Sequence, residues 1–264
     1  MTRRIIDTHS HVFPDKIALR ASDNVGNYYG IPMECDGTIS MLLEGAKTLN
    51  VSYFIISSAA LKPENVVTGN DYILSQAKHN PKFVPLCSVH PLQQSHEAEL
   101  ERVKKAGAKG LKLHPDFQHF KIDDPGMIPV YKAAAALELP ILFHVGDENS
   151  DASSPTRLYR VVEKVPELKV IAAHMGGYQA WDEAEKVLYG TDVYLDTSDA
   201  LLTLSPERVV TQIRTHGVDK IMFGSDYPLK STDSAFNAFD KLPLSEEEKE
   251  KIYFLNAARF YNLI

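Results

Sequence analysis

Ile5-Ile6-Asp7-Thr8-His9-Ser10-His11 is an apolar run that closes on two histidines one residue apart. Side chains of a β-strand alternate between faces, so His9 and His11 project the same way from a strand end. Placed side by side, two imidazoles can bind one divalent ion. A His-x-His by itself is common. What makes it informative here is recurrence, because the later runs 141–144, 170–174 and 221–226 end on His144, His174 and Asp226.

Eight short β-type runs rich in Val, Ile, Leu or Phe can be marked, each stopping at polar, Gly or Pro residues. They cover 4–9, 51–57, 83–90, 110–114, 141–145, 169–174, 193–197 and 220–225. Between them, helical periodicity runs through 95–106, 129–137, 155–165, 179–188 and 206–216. Proline opens several of these helices, where its missing N–H costs nothing. A last helix starts at Ser245, with Glu248 three residues on as a capping box, and runs to about residue 261. Strands alternating with helices imply right-handed crossovers and a parallel sheet. Eight repeats close into a single α/β domain over 1–264, a (β/α)8 TIM barrel. A doubly wound open sheet is the runner-up, disfavoured because the first strand leads to histidines rather than to a Gly-rich phosphate loop. Segment 13–37 reads as the longest irregular stretch, lying over the barrel mouth, with Tyr28 and Tyr29 as lid residues.

Composition narrows the function. The 264 residues are 44% hydrophobic and 24% charged, as in an ordinary globular protein. A net charge of −7 gives no electrostatic footprint for nucleic acid or an anionic membrane. No apolar run approaches the roughly 20 residues that span a bilayer. Met1-Thr2-Arg3-Arg4 leads straight into the first strand without a stretch of signal-peptide character, so a cytoplasmic protein is expected. Cys35 and Cys87 are then two reduced thiols. The remaining partner is a small-molecule substrate, with pairing into a homodimer left open.

Active sites of parallel barrels are built at the carboxyl ends of the strands, where every candidate ligand here falls. His9, His11, His144 and Asp226 form a set suited to one divalent ion, zinc above all, with a position left for water. His174 could complete that set or act beside the water as acid or base.

The pattern resembles the amidohydrolase superfamily, within it the amidohydrolase-related branch that includes aminocarboxymuconate semialdehyde decarboxylase. The resemblance is carried by DTHSH at 7–11, GLKLHP at 110–115, LFHVG at 142–146, AAHMGG at 172–177, FGSDYP at 223–228 and LNAARFY at 255–261. It implies a (β/α)8 barrel with a metal at its mouth. His9, His11, His144 and Asp226 would be ligands, and His174 would orient or deprotonate the metal-bound water.

Lys112 and His114 lie two apart on one strand and share a face. Other superfamily branches bridge two metals with a carboxylated lysine at a similar strand, so a second metal at Lys112 is an alternative to a lysine that binds an anionic substrate. His114 lines the pocket or caps its strand. Asp196 and Ser198 touch substrate or cap a loop. Arg20 is the one arginine of the 13–37 segment and the candidate partner for a substrate carboxylate. His79, His96, His119 and His216 fall in helical or loop segments and read as solvated.

The reaction expected first is hydrolysis of a small amide, ester or lactone. Metal binding lowers the pKa of water from about 16 towards about 7, with Asp226 and His174 managing the proton. The alternative is non-oxidative decarboxylation of a small aromatic or unsaturated carboxylic acid by the same residues. A purely structural metal is disfavoured, since such sites are closed and sulfur-rich.

Overall fold

The computed structural model describes residues 3–264, so Met1 and Thr2 lie outside the described residues. Eight parallel strands follow one another in chain order, β1 (Ile5–His11), β2 (Val51–Ser57), β3 (Phe83–Cys87), β4 (Gly110–Leu113), β5 (Ile141–Phe143), β6 (Val170–Ala172), β7 (Tyr194–Asp196) and β8 (Ile221–Met222). The ring closes where Thr8 N donates to Phe223 O at 2.9 Å and Ser10 bridges Tyr227. This is a (β/α)8 barrel. An open doubly wound sheet would interrupt the sequential order.

Strand alternation divides the core. Ile6, Ile55, Val84, Leu86, Leu142, Ile171 and Met222 fill the barrel interior. Their neighbours Ile5, Phe54, Ile56, Leu111, Phe143 and Leu195 face the surrounding helices. Lys112 pairs in register with the inward-facing Leu142 and is fully buried.

Several strands stop earlier than their apolar runs suggested, because the residues past Cys87, Phe143, Ala172 and Met222 leave the ladder to build the mouth. The larger correction concerns 13–37. Asp15–Tyr29 is a 15-residue helix, α1, ended by Gly30 in the left-handed region at φ 66°. Its buried face is Ala18, Ser22 and Gly26, an i, i+4 stripe of small rather than apolar residues. A Cβ at Gly26 would lie 2.7 Å from Ile31 O, so the glycine permits close packing. Asn24, Gly26 and Asn27 suggest a loop only when read locally. The last helix does carry the Ser245–Glu248 capping box, but Lys251–Leu255 winds as a π-helix between two α-helical stretches. Among the described residues, no helix is long and apolar enough to cross a membrane. Cys35 and Cys87 are buried free thiols.

Candidate metal centre and active site

Asp7 joins the first strand to the last. It is buried beneath the mouth and accepts from Ser225 N (3.0 Å), Ser225 Oγ (2.7 Å) and Thr232 Oγ1 (2.8 Å). These bonds hold β1 against the loop after β8, and so bring His9 and Asp226 together. Gly224 matters at the same seam, since a Cβ there would come within 3.0 Å of His9 Cβ.

His9 Nδ1 lies 2.9 Å from Asp196 Oδ2, a geometry that places the proton on Nδ1 and leaves Nε2 as a bare acceptor. That Nε2 lies 3.1 Å from His11 Nε2 and 3.1 Å from Asp226 Oδ1. His11 Nε2 is 3.4 Å from the same Asp226 oxygen, which is buried without a hydrogen-bond donor. With the His11 proton on Nδ1, towards Ser57 Oγ at 3.4 Å, three acceptors face one another and repel unless a cation stands between them. The ligand atoms of His9, His11 and Asp226 lie within 4.8 Å of one another, and their chemistry fits a divalent ion. Burial pushes His11 down to about 4, keeping its ring neutral as ligation requires. Lys112 Nζ also approaches, 3.0 Å from His9 Nε2. Burial lowers the amine to about 8 against the opposing pull of Asp226, Asp196 and Asp199.

His144, expected as the fourth member, stands beside this trio. Its Nε2 lies 2.8 Å from Gly146 O, and its Nδ1 is 3.0 Å from His174 Nε2. His174 Nδ1 in turn faces Ser198 Oγ at 2.8 Å and Asp199 Oδ2 at 3.4 Å. With both outer nitrogens engaged as donors, the two inner nitrogens are a second acceptor pair that takes a proton or a cation. Burial lowers His174 to about 4. His174, Asp199 and Asp226 all adopt left-handed backbone, at φ 59°, 59° and 54°. Non-glycine residues rarely do so, and such strain concentrates at functional sites.

The carboxylates of this cluster separate in character. Against the upward push of burial, His9, His11 and His174 hold Asp226 well below the ordinary carboxyl range. Burial, reinforced by Asp226 and Asp196, pushes Asp199 well above it. Asp199 escaped the sequence reading, although it sits three residues past Asp196 in YLDTSDA. Asp196 and Ser198, read there as substrate contacts or caps, instead support His9 and His174 from behind.

Beyond the histidines is an aromatic wall. His114 stacks on His144 at 3.9 Å between centroids and on Phe117 at 4.0 Å, the three rings nearly parallel. The C-terminal end of α1 covers this stack. Tyr29 places its hydroxyl 3.2 Å from His144 Nε2 and 3.4 Å from His114 Nε2, and its ring packs against Tyr178. Tyr28 packs on Phe117. Asp116 and Asp147, also absent from the sequence reading, lie behind these rings. Burial raises Asp116, with the Ser153 and Ser150 hydroxyls opposing and Asp147 adding to the rise. Arg20, the candidate partner for a substrate carboxylate, is exposed on α1. His216 is buried rather than solvated, paired with Val193 O at 2.8 Å.

A family model described as Amidohydrolase matches residues 6–263. Gamma-resorcylate decarboxylase from Polaromonas sp. is 23% identical over 265 residues, covering 79% of each protein. Among solved structures, 5-carboxyvanillate decarboxylase LigW from Sphingomonas paucimobilis superposes with a TM-score of 0.75 at 17% identity, covering 99% of both chains. A dihydroxybenzoic acid decarboxylase from Polaromonas sp., solved with manganese and 2-nitroresorcinol, gives 0.72 at 17% identity, covering 99% of this chain and 97% of that one. Hydrolysis of an amide, ester or lactone, the reaction expected first, is thereby overturned, because these relatives are named for decarboxylation. The reason is chemical. Histidines and an aspartate at strand ends can hold a metal for either reaction, so the ligand pattern does not discriminate.

Proposed function

The chain belongs to the amidohydrolase family, and on that premise we propose that it is a metal-dependent, non-oxidative decarboxylase of a small aromatic carboxylic acid. The observation that carries the site is the convergence of acceptors from His9, His11 and Asp226 at the barrel mouth, beside an aromatic wall. The named activity of the Polaromonas relative supports decarboxylation.

His9, His11 and Asp226 would hold the ion, with His144 from β5 as the proposed fourth ligand. Zinc and manganese both suit this nitrogen and oxygen set. When bound, such an ion supplies Lewis-acid attraction for the substrate carboxylate and a neighbouring oxygen. Lys112, 3.0 Å from His9 Nε2, adds a cationic group on the same side. The existing stack of His144, His114 and Phe117, with Tyr178, would wall one side of the pocket against a planar substrate and exclude water. His174 is the proposed proton carrier. Its Nε2 faces the cluster, while Ser198 and Asp199 fix the ring through Nδ1. In the reaction the bond between ring carbon and carboxylate breaks, its electron pair stays on the ring carbon, and carbon dioxide leaves. His174 Nε2, an acceptor in the resting site, would take up one proton from solvent as the anionic substrate binds and pass it to that carbon, so one proton is consumed for each carbon dioxide released.

The test is metal-loaded protein incubated with hydroxybenzoic acids carrying a 13C-labelled carboxylate. Labelled carbon dioxide and the matching phenol in equal amounts are the expected products. Turnover of the same acids without labelled carbon dioxide, or no turnover across the panel, would refute the reading.

A further inference from the structure

Asp116 and Asp147 are both about nine-tenths buried, yet three of their four oxygens make no hydrogen bond of good geometry. Neither oxygen of Asp116 meets a donor in hydrogen-bond geometry, although the Ser150 and Ser153 hydroxyls stand near it; Asp147 Oδ1 accepts from Asn149 N at 2.7 Å, and the Tyr28 phenol lies beside the same carboxylate. Neither carboxylate forms an ion pair among the described residues. A carboxylate oxygen of Asp116 comes within 4.8 Å of ring nitrogens of His114 and His144, so it faces the aromatic stack at the mouth. Asp147 follows β5 three residues after His144, and its charge, after burial, helps push the Tyr28 phenol up to about 12. The mouth is therefore asymmetric. His9, His11, Asp226 and Lys112 form the cation-binding side, and the two under-paired carboxylates lie outside it, Asp116 against His114 and His144 and Asp147 by the Tyr28 phenol.

We infer that Asp116 and Asp147 select the substrate by accepting hydrogen bonds from a hydroxyl or amino group on the ring, away from the reacting carboxylate, and by turning away a second carboxylate there. The reacting end of this assignment rests on the decarboxylase reading. The far end rests only on the two aspartates. A donor on the substrate supplies what the folded chain withholds from these oxygens, while an apolar substituent leaves them unpaired. A carboxylate at that place would meet two like charges in a poorly hydrated pocket.

Four acids share one reacting end and differ only opposite the carboxylate: 2,4-dihydroxybenzoate, 4-aminosalicylate, salicylate and 2-hydroxyterephthalate. Calorimetric binding to metal-loaded protein should place the first two about tenfold or more tighter than salicylate, with the diacid weakest. Asp116→Asn should compress this spread to below about threefold, and Asp147→Asn should reduce it part of the way. Measuring both variants, each with its melting temperature, keeps the test valid if one fails to fold. Equal affinities for all four acids, or an unchanged spread in both folded variants, would overturn the inference. Loss of one equivalent of metal in Asp116→Asn would also overturn it, by giving the carboxylate to an ion. The predicted binding order without carbon dioxide release would leave the inference standing and sink the decarboxylase reading. Carbon dioxide release with equal affinities would do the reverse.

Discussion

Replacing Asp196 with asparagine should weaken metal binding although Asp196 is not itself proposed as a ligand. The buried carboxylate receives only donors. His9 Nδ1 lies 2.9 Å from Oδ2, while Oδ1 accepts from His174 N (3.0 Å), Ser198 N (3.1 Å) and the Ser198 hydroxyl. Against the upward push of burial, His9, His174 and Ser198 hold this carboxyl well below its ordinary range. An asparagine offers a single acceptor oxygen. Three donors compete for it on the Oδ1 side, so the amide NH2 turns towards His9. His9 must then move its proton from Nδ1 to Nε2, which removes the lone pair aimed at His11 and Asp226. Outer partners of metal-bound histidines are worth about 10- to 100-fold in affinity, or about 1.4–2.8 kcal/mol. The metal-free fold should lose a similar amount, about 1.5–3 kcal/mol, because a charge-assisted buried bond goes with it. Competition against a chelator of known affinity measures the first quantity, and urea unfolding of metal-free protein the second. Metal affinity within threefold of the parent, in a variant that has lost the expected stability, would refute the tautomer argument.

Wild-type protein should carry close to one equivalent of divalent metal by elemental analysis, and His9→Ala or Asp226→Ala should lose most of it. Two equivalents that fall to one in Lys112→Ala would instead indicate a lysine-bridged pair. His174→Ala should keep its metal and fold but lose turnover by about a hundredfold or more, the scale of general acid–base catalysis. Metal loss equal to that of His9→Ala would make His174 a ligand. Tyr29→Phe removes the contacts to His114 and His144 without changing the packing volume, so substrate affinity should shift several-fold while the melting temperature moves by less than about 2 °C. A large drop in melting temperature with unchanged kinetics would mean that the hydroxyl serves the fold alone.

The barrel was legible because its signals are local. Each strand is a continuous apolar run, as expected where helices cover one face and the interior packs the other. Pro155 and Pro206 mark helix starts that the structure reproduces. Helix α1 was not legible, because the face it buries is Ala18, Ser22 and Gly26, small residues in place of a bulky apolar stripe, while Ile17 and Leu19 are exposed. That His9, His11 and Asp226 lie together could be anticipated because strand ends converge in any parallel barrel. Asp7, Asp116, Asp147 and Asp199 were not anticipated, since a polar residue just past a strand reads equally well as a loop cap.

The sequence by itself determined the strand and helix order, and with it the barrel and the end of the barrel at which chemistry can occur. Those follow from periodicities of two and 3.6 residues and from turn residues, all written within a few positions of one another. Only the tertiary structure decided which groups meet there. Closure of β8 on β1 sets the 3.1 Å between His9 Nε2 and Asp226 Oδ1. The return of β7 beneath them lets Asp196 choose the His9 tautomer. The fold of α1 across the mouth sets Tyr29 against His114 and His144. These are contacts between residues far apart in the chain, whose distances depend on how every intervening strand packs, and no local pattern encodes them.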